Sequence, residues 1–156
     1  MAYPRDMSIP SLRDADACAN MVQRLHSLQP DSKPQWGKMN VCQMLAHCQY
    51  PFKTAFGEMV SKRALIGILL GRFAKRKFID SDAPFGKNSP TDPNFLDRNA
   101  NGFEEQRQAV IDLLHRFQTS GASTKRPHPF FGALTANDWD RLMWKHLDHH
   151  LRQFGV

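Results

Sequence analysis

The segment TANDWDRLMWKHLDHHLRQF, residues 135–154, decides how the chain folds. Thr135 with Asp138 three residues later is typical of a helix N-terminus, and Gly155 is typical of the residue that follows a helix end. Between them the apolar residues recur at helical spacing, at Trp139, Leu142, Met143, Leu147 and Phe154. The segment therefore predicts one long amphipathic helix that packs its apolar stripe against a core.

Two histidines fall in the middle of that apolar stripe. At about 100° per residue, with Trp139 at zero, His146 lies at about −20° and His150 at about +20°. His149 lies at about −80°, on the edge of the stripe. The same geometry assigns four charged residues to the opposite, polar face: Arg141, Lys145, Asp148 and Arg152.

An imidazole in a core needs a partner for its polar nitrogens, because an unsatisfied one costs about 1–3 kcal/mol. Side chains four residues apart on a helix are neighbours, so one metal ion could satisfy both His146 and His150. Neutral imidazole is a ligand for zinc, nickel, copper or iron. Hydrogen bonds to carbonyl or carboxylate groups are the alternative, and the helix alone leaves both open. Leu147 stands where an HExxH protease has its glutamate, which excludes that class.

A third metal ligand would have to come from one of the histidines outside this helix. On its own helix His47 falls at the flank of the apolar stripe, which predicts a partly exposed side chain. His26 lies within the apolar arc of the first helix and competes with it, although a boundary histidine with one hydrogen bond is the simpler interpretation. His115 falls on a polar face, and His128 is expected to shape the turn before the last helix.

The chain as a whole is predicted to be all-α, with four or five helices in a bundle that forms a single domain over residues 1–156. No segment alternates apolar and polar residues with the period of two that a strand shows. Ser11 is the expected N-cap of the first helix and Asn40 that of the second, in which Pro51 predicts a kink or a break. The third and fourth helices are expected at residues 62–78 and 103–119.

Residues 80–102 are rich in proline, glycine and asparagine, which predicts a long loop between the third and fourth helices. Loops of that length are uncommon in compact domains and are often functional. The sequence leaves open whether this loop covers a site or is plain surface.

The charge balance indicates a basic protein without defining its partner. Lysine plus arginine number 21 and aspartate plus glutamate number 15, which gives a net charge of +6. A basic cluster on the third helix is expected to be a solvated face, with attraction of an anionic substrate as the alternative. Nucleic-acid binding is a disfavoured hypothesis, because no known reader motif accompanies this cluster. The cluster consists of Arg72, Lys75, Arg76 and Lys77.

Cysteine usage and the apolar segments both predict a cytoplasmic protein. Cys18, Cys42 and Cys48 are odd in number and no two form a CxxC motif, so reduced thiols are expected, with Cys48 buried in the core. Residues 1–11 hold no apolar run of the kind that a secretory signal needs. Residues 64–70 are far short of the ~20 that a membrane span requires, so no membrane association is expected.

Two segments carry a resemblance to a known family. In one, Trp36 precedes the capped segment NVCQMLAH, residues 40–47, and in the other HLDHHLRQ spans residues 146–153. Both resemble the DinB/YfiT superfamily of four-helix-bundle proteins, in which such a capped second helix and a closing HxxxH supply metal ligands. Residues 128–155 are similar to one subgroup of that superfamily, catalogued only as a domain of unknown function.

The resemblance implies a divalent metal held by His47, His146 and His150 at the centre of the bundle, with coordination positions open to water or substrate. Nickel or zinc is the expected metal, with iron or manganese as alternatives. Family members with an assigned activity are similar to thiol transferases that use bacillithiol, mycothiol or glutathione. The resemblance therefore implies a metal-dependent S-transferase for a low-molecular-weight thiol, or a hydrolase-like enzyme, acting on a small molecule and able to form a homodimer.

A metal-binding protein without catalysis, in which the ion serves folding or sensing, is the second hypothesis. A catalytic site keeps an open coordination position, whereas a structural site is closed by protein ligands. His26, His149 or Asp148 reaching the metal would therefore favour the non-catalytic protein. No general acid or base is assigned, because Asp148 is placed on the polar face and the sequence does not place Glu58, Glu104 or Glu105.

Overall fold

The computed structural model describes residues 9–59, 65–89 and 95–156. These residues form five α-helices and no strand, so the prediction of an all-α chain is confirmed. The helices are α1 (Ala15–Ser27), α2 (Val41–Ala55), α3 (Leu65–Lys75), α4 (Phe103–Ser120) and α5 (Ala136–Gln153), and a π-helical turn, Arg76–Asp80, follows α3 directly.

Helix α1 begins later than the sequence predicts. Its N-cap is Asp14, whose side chain accepts hydrogen bonds from two N–H groups of the first turn. The predicted cap, Ser11, instead closes a turn before the helix, with its carbonyl accepting from the N–H of Asp14. The prediction was wrong because Leu12 is fully buried ahead of the helix, where its N–H donates to the Asp140 carboxylate at 2.8 Å.

Helix α2 begins at the predicted cap. The side chain of Asn40 accepts from the N–H of Gln43, and the side chain of Gln43 accepts from the N–H of Asn40. This reciprocal pair satisfies two N–H groups that a helix start leaves free. Pro51 lies inside the helix, which continues to Ala55, so the chain does not break at the proline.

Helix α3 and the π-helical turn cover most of the predicted third helix, of which residues 62–64 lie outside the described residues. A Cβ added to Gly71 would lie 2.6 Å from the carbonyl oxygen of Phe130. The glycine therefore lets α3 approach the loop that precedes α5.

The last two helices match their predictions closely. Helix α4 ends one residue beyond the predicted range, and Gly121 follows it with a φ of 64°. Thr135 and Asp138 form the predicted capping box of α5. Each side chain accepts a hydrogen bond from the backbone N–H of the other, which fixes the start of the helix that carries the histidines.

The core lies among α1, α2, α4 and α5. Helices α1 and α2 each pack against both α4 and α5, and the π-helical turn packs against α5 from a further side. None of the described helices combines the length and the apolar character that crossing a membrane requires. The largest apolar side chains buried in the core include Met21, Leu25, Met44, Phe52, Leu114, Phe117 and Met143.

Helix α5 is buried on its polar side as well, which corrects the prediction of an opposite, polar face. Lys145 has no exposed surface and Asp148 is 4% exposed. The ammonium group of Lys145 donates to the carbonyl oxygens of Phe78 at 2.5 Å and Ser81 at 2.7 Å. The periodicity of α5 could not predict this, because Lys145 is covered by the π-helical turn and Ser81, and Asp148 is covered by Arg24 of α1.

Candidate metal centre

Three histidine side chains meet between α2 and α5. His47 lies in the middle of α2, and His146 and His150 lie one turn apart on α5. The ring centroids are separated by 4.9 Å for His47 and His146, 4.8 Å for His47 and His150, and 4.7 Å for His146 and His150. One nitrogen from each ring lies within 4.8 Å of the other two. Three imidazole nitrogens this close could hold a metal ion.

The shortest contact in the group joins the Nε2 atoms of His47 and His146, which lie 3.0 Å apart. This distance fits a hydrogen bond in which one of the two nitrogens carries the proton. It also fits two ligands of one ion, since nitrogens about 2.0–2.1 Å from zinc lie about 3 Å or slightly more from each other.

His47 is 4% exposed, so the prediction of a partly exposed flank residue was wrong. Its Nδ1 lies 2.9 Å from the carbonyl oxygen of Phe95, which belongs to the predicted 80–102 loop. A carbonyl can only accept, so Nδ1 carries the proton and Nε2 keeps its lone pair. The ring of Phe95 stacks on Tyr50 at 5.5 Å, which holds the segment against α2. The periodicity of α2 could not predict this burial, because Phe95, which covers His47, comes from the segment that follows α3 and the π-helical turn.

His150 is oriented in a similar way from its own helix. It is 6% exposed, and its Nδ1 lies 2.8 Å from Oε1 of Gln153, one turn further along α5. His47 and His150 thus both have an outer nitrogen engaged with an oxygen acceptor. Histidines that bind metals usually have such a partner, because it fixes the ring and its tautomer.

Burial favours the neutral form of all three rings. It lowers the pKa of His47, and the hydrogen bond to Phe95 opposes this effect. Burial also lowers the pKa of His146 and of His150 well below the usual value, and the neighbouring histidines act in the same direction. The neutral imidazole is the form that binds metal ions.

The residues considered as a fourth ligand make other contacts. Asp148 forms an ion pair with Arg24 of α1 at 2.9 Å. The ring of His149 lies 5.7 Å from that of Trp36 and 6.0 Å from that of Phe85. Among the described residues, no fourth histidine, cysteine, aspartate or glutamate joins the group of three.

His128 shapes the turn before α5, as predicted. Its Nδ1 accepts hydrogen bonds from the N–H groups of Phe130 and Phe131, and its backbone pairs with Gly132. Burial lowers the pKa of His128 to about 4, so the ring is neutral at physiological pH. The two other histidines, His26 and His115, are exposed on α1 and α4.

The basic cluster of the third helix is largely solvated, as predicted. Arg72, Arg76 and Lys77 are exposed. Lys75 forms ion pairs with Asp80 at 3.0 Å and with Asp138 at 2.9 Å. Lys75 therefore connects the end of α3 to the start of α5 through its ion pair with Asp138.

The cysteine and the two glutamates considered as site residues are engaged in core packing and in ion pairs. Cys48 is 1% exposed, and burial raises the pKa of its thiol, in line with the predicted core cysteine. The exposed carboxylates of Glu58 and Glu104 form ion pairs with Arg116 and Arg107.

Two residues that contact the histidines, Gln153 and Phe95, were not predicted from the sequence. Gln153 follows His150 by three residues, a spacing at which side chains on a helix meet, so the spacing was an available signal. Phe95 acts through its backbone carbonyl, and no residue pattern could have indicated that contact.

Fold and site together define the class, an all-α bundle in which three histidines form a candidate metal centre. The chain belongs to the family described as "Protein of unknown function (DUF1569)", which matches residues 1–155. No curated protein matches the chain, and no solved structure matches it.

Proposed function

We propose that the protein binds a divalent metal ion through His47, His146 and His150. The carrying observation is the count of donors and acceptors where the three rings meet. His47 and His150 use their N–H groups on Phe95 and Gln153, so each presents an Nε2 lone pair. A neutral His146 carries one N–H, so it can donate to the Nε2 of either His47 or His150 but not to both. The other Nε2 then receives no hydrogen bond from the three histidines. One metal ion would satisfy all three nitrogens.

The donor set fits nickel or zinc, with iron as an alternative, because imidazole is a ligand for these metals. Manganese, the other alternative, matches three imidazoles less well because it prefers oxygen ligands. When bound, such an ion would lower the pKa of a bound thiol or water and so supply a nucleophile. The chain's own part is to present the three nitrogens and to surround them. Phe85 and Trp36 lie near His149, next to His150, with ring centroids 6.0 Å and 5.7 Å from that of His149.

A metal-dependent S-transferase for a low-molecular-weight thiol, or a hydrolase-like enzyme, is the activity we propose for this site. Two observations support a catalytic site: the described residues supply three ligands and no fourth, and His146 is partly exposed. The resemblance of the two histidine segments to the DinB/YfiT superfamily supports the thiol as co-substrate. A general acid or base is not part of the proposal.

Metal content tests the proposal directly. The protein would be purified without chelator or affinity tag, as wild type and as His47→Ala, His146→Ala and His150→Ala, and analysed by elemental mass spectrometry. We expect near-stoichiometric nickel or zinc in the wild type and its loss in each variant. His149→Ala is the matched control, because this neighbouring ring lies outside the group and should retain the metal. A wild type that stays metal-free after reconstitution overturns the proposal.

A second measurement separates the enzyme from a non-catalytic metal protein. Cobalt-substituted protein would be titrated with glutathione and followed by visible absorption. A new sulfur-to-cobalt charge-transfer band is expected if a coordination position is open to a thiol. An unchanged spectrum at millimolar thiol would indicate a closed site and favour a role of the ion in folding or sensing.

A further inference from the structure

The end of α5 is held by the connector that joins α1 to α2. Gln153 is 3% exposed and lies between His150 and this connector. Its Oε1 lies 2.8 Å from Nδ1 of His150, and its Nε2 donates to the carbonyl oxygen of Trp36 at 2.7 Å. The backbone carbonyl of Gln153 accepts from the N–H of Gln35, also at 2.7 Å. Side chain and backbone of Gln153 are therefore both fixed by neighbouring residues of one short segment.

The contact with Trp36 determines which way the amide of Gln153 faces. A backbone carbonyl can only accept a hydrogen bond, so the amide NH₂ group must point to Trp36. Its oxygen is then directed at His150, and because that oxygen can only accept, Nδ1 of His150 must carry the proton. A neutral imidazole protonated at Nδ1 has its free lone pair on Nε2.

Gly37 shows that the connector is shaped around this amide. A Cβ added to Gly37 would lie 2.5 Å from Nε2 of Gln153, and Gly37 has a φ of +82°. Both the close approach and the left-handed backbone favour glycine over any residue with a side chain. The connector thus gives Gln153 an acceptor, a backbone donor and the space that its amide needs.

We propose that Gln153 is the positioning residue of the metal centre, which selects the Nδ1-protonated tautomer of His150 and presents its Nε2 to His47 and His146. The role of Gln153 in metal binding rests on the proposed function, whereas the tautomer of His150 can be measured in the metal-free protein. The tautomer of His47 is fixed in a similar way, because its Nδ1–H donates to the backbone carbonyl of Phe95. The difference is that Gln153 acts through a side chain and can be substituted.

The test uses nitrogen NMR of histidine-labelled, metal-free protein, in which the two ring nitrogens report the tautomer. The His150 signals are assigned by their loss in His150→Ala. We expect His150 in the wild type to be protonated at Nδ1, and Gln153→Met, whose thioether is only a weak acceptor, to populate the other tautomer. Gln153→Glu keeps an acceptor for Nδ1 and is expected to restore the wild-type tautomer. Affinity for added Zn²⁺ should fall about 10–100-fold in Gln153→Met, the usual effect of removing such a partner.

Gln49→Met is the matched control. Gln49 is a buried glutamine whose amide donates to Gln106 of α4 at 2.7 Å, so its loss removes a comparable side-chain hydrogen bond. It should leave the His150 tautomer and the zinc affinity unchanged. A wild-type His150 protonated at Nε2, or a folded Gln153→Met with unchanged tautomer and affinity, overturns the inference. A wild type with the expected tautomer that binds no metal would instead overturn the proposed function.

Discussion

The Nε2 atoms of His47 and His146 lie 3.0 Å apart, although 99 residues of sequence separate them. The contact joins the middle of α2 to the middle of α5, two helices that also share the core. A ligand bound at this point would contact both helices at once, and it would bind the folded chain more tightly than the unfolded chain, which does not bring His47 to His146 and His150.

Added metal is therefore expected to stabilise the fold. At a free concentration 100 times its Kd, a ligand of the native state contributes about 2.7 kcal/mol. For a chain of this size that corresponds to a rise in Tm of about 5–10 °C. The measurement is thermal unfolding of metal-free protein with increasing Zn²⁺ or Ni²⁺, with His150→Ala as the variant that should not respond. Equal stabilisation of His150→Ala would show that the ion binds elsewhere.

The turn at His128 is expected to make stability depend on pH. The pKa of His128 is about 4 in the folded protein and about 6.5 when unfolded, so between these values the unfolded chain binds more protons. The free energy of unfolding should be fully retained above pH 6.5 and fall as the pH drops towards 4, by about 2–3 kcal/mol from this residue. Urea unfolding at several pH values measures the slope.

His128→Asn separates this contribution from those of the other histidines. The Asn oxygen can still accept from the N–H groups of the turn, but the side chain does not titrate. The variant should show a shallower loss of stability between pH 6.5 and 4 than the wild type. Parallel curves for the two proteins would mean that His128 does not bind a proton on unfolding in this range.

Lys145 is expected to be needed for stability although it lies on the side of α5 away from the histidine cluster. Lys145→Met removes the donor for the carbonyl oxygens of Phe78 and Ser81, and a buried acceptor without a partner costs about 1–3 kcal/mol. Part of this loss is offset because a charge no longer has to be buried. We expect a net loss of about 2 kcal/mol in urea unfolding. The exposed Arg72→Met should stay within about 0.5 kcal/mol of wild type, and a Lys145→Met variant as stable as that control would refute the expectation.

Asp148 is expected to support the fold and not the metal. Asp148→Ala leaves Arg24 without its carboxylate partner. Because the Arg24 side chain is 19% exposed and still donates to the carbonyl oxygen of Val156, we expect a loss of about 1–3 kcal/mol, less than for a fully buried pair. The folded fraction of the variant should nevertheless bind metal with the wild-type stoichiometry, because Asp148 lies outside the group of three histidines. Elemental analysis of the folded fraction, isolated by size exclusion, decides between this role and that of a ligand.

Periodicity predicted the helical fold and the central position of His146 and His150, because both depend on one helix and its own residues. Asn40 and Thr135 were predictable as caps for the same reason. His47, Lys145 and Asp148 were misplaced, since each is buried by a segment from another part of the chain. Their burial is a tertiary effect, which the sequence of the helix that carries them does not contain.

The late position of α5 in the chain has a consequence for biosynthesis. This helix lies against α1, α2 and the π-helical turn, and it carries two of the three clustered histidines. A ribosome synthesises the chain from the N-terminus, so the earlier helices emerge without the element that completes their core. Neither the packed interior nor the histidine cluster can form until α5 has left the exit tunnel. Any binding of a metal by the three histidines would therefore come after the synthesis of α5, and until then the nascent helices expose apolar faces that chaperones can recognise.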